Sequence, residues 1–182
     1  MNILILGGNK SGKSSFAQKA AQVLPHEKGL FYLATMTPCD GEDLSRIEHH
    51  RAARAGLSFQ TLEYFRQAAR AAPHMKEGTV LLLDSVTALL SNEMFIRGDF
   101  FPEAGKTVWK ELLPLLTAPG NAVIVSDMLF ADALTYEDTV TAFQRALGFL
   151  HRKIAKYCGY VIQMRQGVPL YLKGAPTLQE EI

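Results

Sequence analysis

The sequence predicts a three-layer α/β fold of the P-loop kind, with a mostly parallel sheet that closes in an antiparallel hairpin. Three observations predict it. Short apolar runs at 3–6, 30–34, 80–83, 122–125 and 160–164 are mostly continuous rather than alternating, the pattern of strands buried on both faces. Between them lie longer stretches of helical periodicity. The first run is followed at once by a glycine-rich turn of phosphate-binding type.

Taken in order, residues 2–6, Asn-Ile-Leu-Ile-Leu, read as a strand and not as a leader, because the apolar run is too short for a secretory segment and no basic stretch precedes it. Next comes Gly7-Gly8-Asn9-Lys10-Ser11-Gly12-Lys13-Ser14, which fits G-x-x-x-x-G-K-[ST] with a strand before it and a helix after it. Its glycines let the backbone turn tightly enough to aim successive N–H groups at phosphate oxygens, and the helix starting near Lys13 adds its positive dipole end. Lys13 is expected to reach the β- and γ-phosphates, and the Ser14 hydroxyl to ligate Mg2+.

After the strand at 30–34, residues 42–54 read as a helix on which Arg46, His50 and Arg54 stand four apart on one face, with Glu42 a turn earlier. Cations stacked in this way repel, at about a few tenths of a kcal/mol per pair, and an anionic partner removes that cost. His49 points about 100° round the axis, so the spacing selects His50. A neutral imidazole between arginines is placed to attack a nucleotide's α-phosphate; a solvated charged face is the other reading of the same spacing.

The run at 80–83 ends on Asp84, an acidic anchor for a metal's water shell at the carboxyl edge of the sheet. Asp127, after the run at 122–125, is the alternative, and either aspartate has an N-cap reading. Phe100 to Pro102 and Ala118-Pro119-Gly120 read as loops. Trp109 lies on an amphipathic stretch with Leu112, Leu113 and Leu116, in the core or at a subunit interface. The clearest helix runs from Thr135 to about Tyr157, with Val140, Phe143, Leu147, Leu150, Ile154 and Tyr157 on one face and Thr135 and Asp138 spaced as a capping box. His151 on that helix reads as solvated, and His26 and His74, each beside a proline, as loop residues. Arg165-Gln166-Gly167 reads as a hairpin turn, and Pro169 confines the last strand to an edge.

The 182 residues amount to about one domain, so residues 1–182 are expected to form a single nucleotide-binding unit. With 48% hydrophobic residues they can bury a core. Nineteen Lys and Arg against 18 Asp and Glu leave a formal charge of +1, too little for a global field that attracts nucleic acid or an anionic membrane. An anionic ligand must be held locally. No apolar stretch approaches the roughly 20 residues of a membrane helix. Cys39 and Cys158 have no metal-type spacing and read as reduced thiols, hence a cytoplasmic location.

Three segments together resemble the adenosylcobinamide kinase/adenosylcobinamide-phosphate guanylyltransferase family. They are Gly7 to Ser14, similar to an N-terminal G-G-x-x-S-G-K-S; Tyr32-Leu33-Ala34-Thr35, similar to Y-I-A-T; and Arg46-Ile47-Glu48-His49-His50-Arg51-Ala52-Ala53-Arg54, similar to R-I-x-x-H-R-x-x-R. The histidine of the last motif is the one guanylylated in the family, and it falls on His50. Thr61-Leu62-Glu63 resembles T-x-E, whose glutamate helps bind the guanine nucleotide. Ser91-Asn92 with Phe95 resembles the family's next helix, and Phe143 to Ala155, with Gly148 in register, resembles F-R-D-x-x-G-x-x-N-Q-x-x-A.

The resemblance implies Lys13 and His50 as catalytic residues, and a nucleotide site of Gly7 to Ser14 with Ala34, Thr35, Met36, Arg51, Arg54, Glu63 and Asp84. Mg2+ would lie on Ser14 and Asp84. It also implies ATP and GTP as substrates, phosphorylation of adenosylcobinamide, transfer of GMP through a guanylyl-histidine to give adenosylcobinamide-GDP, a RecA-like arrangement of the P-loop domain, and a trimer. The chain departs from the family where V-[ST]-N-E-V-G is replaced by a loop reading Ser126-Asp127-Met128-Leu129-Phe130-Ala131-Asp132-Ala133. It departs again where N-Q becomes His151-Arg152 and R-D becomes Gln144-Arg145. A small P-loop kinase of another metabolite and a nucleotide-binding regulator lacking a cobinamide site are the competing readings.

Overall fold

The computed structural model describes residues 1–38, 48, 55–129 and 137–175. Nine strands and four α-helices follow one another among these residues. They are β1 (Asn2–Gly7), α1 (Lys13–Val23), β2 (Gly29–Ala34), β3 (Gln60–Glu63), a 3₁₀ helix (Ala68–His74), β4 (Thr79–Asp84), α2 (Val86–Met94), β5 (Phe95–Ile96), β6 (Asp99–Phe100), α3 (Ala104–Thr117), β7 (Asn121–Asp127), α4 (Asp138–Tyr157), β8 (Tyr160–Arg165) and β9 (Val168–Lys173). All five apolar runs are strands of one seven-stranded sheet, ordered β3-β2-β4-β7-β1-β8-β9. Every pairing in it is parallel except β8 with β9.

Strand alternation divides the interior into two layers. In β1, Leu4 and Leu6 pack toward α2, α3 and α4 with Leu89, Leu112 and Leu150, while Ile3 and Ile5 pack toward α1 with Phe16, Ala17 and Ala20. Because apolar residues occupy both faces, the run is continuous, and each fully buried Leu or Ile contributes about 1.5–3 kcal/mol. The closing hairpin turns at Gln166 and Gly167, whose φ values of 50° and 83° are those of a type I′ turn, the one that matches strand twist. Pro169 sits on β9, the edge strand, as its missing donor requires.

Four local expectations change. Helix α4 begins at Asp138 with Glu137 as its N-cap, and Thr135, the first member of the expected capping box, lies outside the described residues. Its apolar stripe is buried only through Leu147, Leu150 and Ile154, while Val140 and Tyr157, near its two ends, are exposed. Phe100 belongs to a two-residue strand paired with Phe95, and not to a loop, since the Arg97-Gly98 turn has the positive φ values a tight hairpin needs. His74 ends the 3₁₀ helix and packs its ring 5.1 Å from that of Phe31. Trp109 is half-buried against the α2–α4 layer, 5.7 Å from the Tyr157 ring.

Candidate functional site

Parallel strands present all their carboxyl ends on one edge, and the register places specific residues there. Ala34 pairs with both Glu63 and Asp84, Asp84 with Val125, and Gly7 with Asp127. Read across the edge, Glu63, Ala34, Asp84, Asp127 and Gly7 therefore lie on successive strands, the position at which ligands bind in open α/β sheets.

The loop between β1 and α1 has the shape of an anion cradle. Gly12 is the N-cap of α1 with φ 86°, a left-handed conformation that favours glycine, and no side chain caps the helix. Its first-turn N–H groups are thus left for an anion. Lys10 is also left-handed, with φ 54°, and Ser11 N–H bonds Gly8 O at 3.3 Å, folding the loop back on itself. From outside, the Gly167 N–H of the β8–β9 turn donates to Ser11 O at 3.0 Å. The hairpin braces the cradle.

Lys13 turns back over the loop, its Nζ donating to Gly8 O at 3.1 Å and pairing with Asp127 Oδ1 at 2.8 Å. Asp127 is thus the aspartate that touches the lysine of the cradle. Asp84, half-buried one strand further on, accepts from the Tyr32 hydroxyl at 3.2 Å, and no cation among the described residues pairs with it. A Ser14 hydroxyl and an Asp84 carboxylate are hard oxygen donors of the kind Mg2+ takes alongside phosphate oxygens and water. Among the described residues no group of three or more His, Cys, Asp and Glu assembles a metal centre of its own.

Thr35 is fully buried, its hydroxyl donating to Ser85 O and accepting from Ser85 N–H, both at 2.8 Å. Asn92 on α2 donates to the carbonyls of Thr35 and Phe65 at 2.7 Å each and accepts from Thr37 at 3.2 Å. These bonds tie the segments after β2 and β3 together beside Met36. Beyond them opens a cavity of about 390 Å3 lined by Glu63, Tyr64, Phe65, Arg66, Gln67 and Arg70. Arg66 makes a two-point pair with buried Glu93 at 2.9 and 2.8 Å, which raises its pKa, and the Arg70 guanidinium lies 4.7 Å over the Tyr64 ring. Glu63 is exposed at the cavity mouth.

Of the cationic stripe, Arg46, His49, His50, Arg51 and Arg54 lie outside the described residues, as do residues 130–136; Glu48 is helical and exposed. The expectation for His151 is overturned. Its ring is half-buried, Nε2 lies 2.8 Å from Ser126 Oγ, and desolvation lowers its pKa from 6.5 to about 4 against the opposing charge of Asp127. It stands four after Leu147 and three before Ile154, beside the buried stripe, and the close approach of α4 to the end of β7 encloses it. The Ser126 and Thr87 hydroxyls that accompany it carry no sequence signature, because serine and threonine serve equally well as caps and surface residues.

Comparison with known proteins places these features in context. A sequence model of the family described as cobinamide kinase/cobinamide phosphate guanyltransferase matches residues 3–172. The chain is 33% identical over 179 residues to the bifunctional adenosylcobalamin biosynthesis protein CobP of Pseudomonas aeruginosa, covering 97% of this chain and 99% of the relative. It is 25% identical to the bifunctional adenosylcobalamin biosynthesis protein CobU of Escherichia coli, covering 95% of this chain and all of the relative. Among solved structures, the type III secretion ATPase EscN of enteropathogenic E. coli superposes with a TM-score of 0.52 at 16% identity, over 91% of this chain and 43% of that one. A second bacterial type III secretion ATPase gives 0.50 at 17% identity, over 89% and 50%. At such identities the likeness is one of fold, a P-loop ATPase sheet.

Proposed function

The chain belongs to the cobinamide kinase/cobinamide phosphate guanyltransferase family, and on that premise we propose that it catalyses two successive steps of adenosylcobalamin biosynthesis at one carboxyl-edge site. The observation that carries this reading is the alignment of the lysine cradle, Asp84 and Glu63 along one sheet edge in a chain that matches the family over nearly its whole length.

In the kinase step, the cradle from Gly7 to Ser14 receives the phosphates of ATP or GTP. Lys13, still paired with Asp127, exchanges Gly8 O for β- and γ-phosphate oxygens, and the γ-phosphoryl group passes to the aminopropanol hydroxyl of adenosylcobinamide, releasing the nucleoside diphosphate. Mg2+, held by Ser14 and Asp84, supplies neutralisation of charge on the β- and γ-phosphates.

In the transferase step, the His50 imidazole attacks the α-phosphorus of GTP. A P–N bond forms, the bond to the β-phosphate oxygen breaks, and pyrophosphate leaves. The phosphate of adenosylcobinamide phosphate then attacks the same phosphorus, the P–N bond breaks, and adenosylcobinamide-GDP departs. Arg51, Arg54 and Lys13 stabilise the charge in flight. Glu63 recognises guanine, whose N1–H and amino group present adjacent donors that adenine lacks; Ala34, Thr35 and Met36 line the approach. The 182 residues act as one domain, cytoplasmic and trimeric, on small-molecule substrates.

Incubation with α-labelled GTP tests the reading. The expected result is an acid-labile, alkali-stable label that survives His49→Ala and disappears in His50→Ala, with adenosylcobinamide phosphorylated by the wild-type protein. A folded protein that binds nucleotide yet gives neither label nor phosphorylated corrinoid would be a nucleotide-binding regulator, and the proposal would be wrong.

A further inference from the structure

A continuous polar chain runs from the phosphate-binding lysine to the outer helix. Lys13 Nζ pairs with Asp127 Oδ1 at 2.8 Å, Asp127 N–H donates to Thr87 Oγ1 at 2.8 Å, Thr87 Oγ1 and Ser126 Oγ are 3.2 Å apart, and Ser126 Oγ lies 2.8 Å from His151 Nε2. The chain crosses four elements: the start of α1, the start of α2, the end of β7 and the middle of α4. Its central hydroxyl, on Ser126, is fully buried, so its proton must be placed and not left to water.

The order of the protons follows from the ends. Thr87 Oγ1 accepts from the Asp127 backbone, and the arrangement that gives every hydroxyl an acceptor has it donate its own proton to Ser126 Oγ, although the contact by itself admits either donor. The Ser126 proton then goes to Nε2 of His151, and every hydroxyl in the chain has an acceptor. An imidazole can fill that terminal place only when neutral, and burial, which pulls its pKa down to about 4, keeps it so.

We propose that His151 is a positioning residue for phosphoryl transfer: by anchoring the Ser126 and Thr87 hydroxyls it fixes Asp127, and Asp127 in turn holds the Lys13 ammonium over the cradle. The role rests on the kinase reading above, in which Lys13 serves the β- and γ-phosphates. Losing the anchor leaves the nucleotide's other contacts in place but lets the lysine wander, so the chemical step suffers more than ground-state binding.

The test combines a signal that needs no catalysis with kinetics. In 15N-lysine-labelled protein, the Lys13 ammonium resonance, identified by its loss in Lys13→Ala, reports how well the group is held. His151→Phe keeps the ring volume but removes the acceptor, and His151→Gln returns an amide near the Nε2 position. The expected pattern is solvent exchange of the Lys13 ammonium faster by about fivefold or more in His151→Phe, near wild-type exchange in His151→Gln, and no added effect of His151→Phe in an Asp127→Asn background. Phosphoryl transfer in the same proteins should show kcat reduced about tenfold in His151→Phe, nucleotide KM within about twofold, and recovery in His151→Gln. If His151→Phe does not fold, Thr87→Val breaks the same chain one link nearer Asp127 and should reproduce its pattern. A Lys13 signal indifferent to these changes, or Phe and Gln variants that behave alike, would overturn the inference. Should the lysine signal respond as described while the wild-type protein phosphorylates no adenosylcobinamide, the kinase reading fails and the positioning role stands.

Discussion

Replacing Gly7 by alanine adds one carbon at the tightest point of the cradle. A Cβ there would collide with Ser11 Oγ and sit 3.1 Å from Met164 O and 3.3 Å from Met164 Cβ. Retreat is barred on the other side, because Met164 belongs to β8, which pairs with β1 through Gly7 itself, so the buried Ser11 hydroxyl must be displaced. Overpacking of this kind costs about 1–3 kcal/mol, so we expect Gly7→Ala to destabilise the fold by about 2 kcal/mol. At about 2–4 °C per kcal/mol for a chain of this size, the melting temperature falls by about 4–8 °C. Gly8 is the internal control: a Cβ there meets nothing within 4 Å, and Gly8→Ala should change stability by less than about 0.5 kcal/mol. Ser11 supplies a second check, because its buried hydroxyl has no hydrogen-bond partner among the described residues. Removing it in Ser11→Ala takes away both the nearest clash and an unsatisfied polar atom, so Gly7→Ala/Ser11→Ala should return to within about 1 kcal/mol of the wild type. Urea unfolding of the four variants and the wild type measures all of this. Equal midpoints for Gly7→Ala and Gly8→Ala, or strict additivity of Gly7→Ala and Ser11→Ala, would refute the packing account of the cradle.

The remaining predictions concern two buried titratable groups. His151 has a folded pKa near 4 against 6.5 for the free side chain, so its contribution to stability is intact above pH 6.5 and is eroded as the pH falls toward 4. By linkage the full effect is about 3 kcal/mol, and urea titrations should show a steeper acid loss in the wild type than in His151→Gln, with parallel curves contradicting the assignment. The Cys158 thiol is buried and pushed up to about 12 by desolvation, with Lys173 opposing. In a Cys39→Ser background it should resist Ellman's reagent at pH 8 until the protein is unfolded, and rapid native labelling would show that the C-terminal end of α4 opens.

The parts of the protein that depend on local order and composition could be read directly. Continuous apolar runs are enough to place the strands of a parallel sheet, because such strands are buried on both faces wherever they sit. Gly12, Lys13 and Ser14 form a cradle from covalent neighbours, and Gln166-Gly167 closes a hairpin by its own backbone preference. None of these needs a distant partner. The strand order was another matter. It inserts β7 between β1 and β4, which sets Asp127 against Lys13 and leaves Asp84 one strand away, a distinction invisible while both read as acids at strand ends. Likewise, helical spacing gave His151 a place on α4 but no surroundings, and only the packing of α4 over the end of β7 enclosed the ring and joined it to Ser126. Sequence alone determined where the glycine-rich cradle and its lysine form, since a turn and a helix terminus are local objects. Tertiary structure decided which side chains govern the binding lysine, since hydrogen bonds between residues 40 or more apart in the chain exist only after the sheet has brought them together.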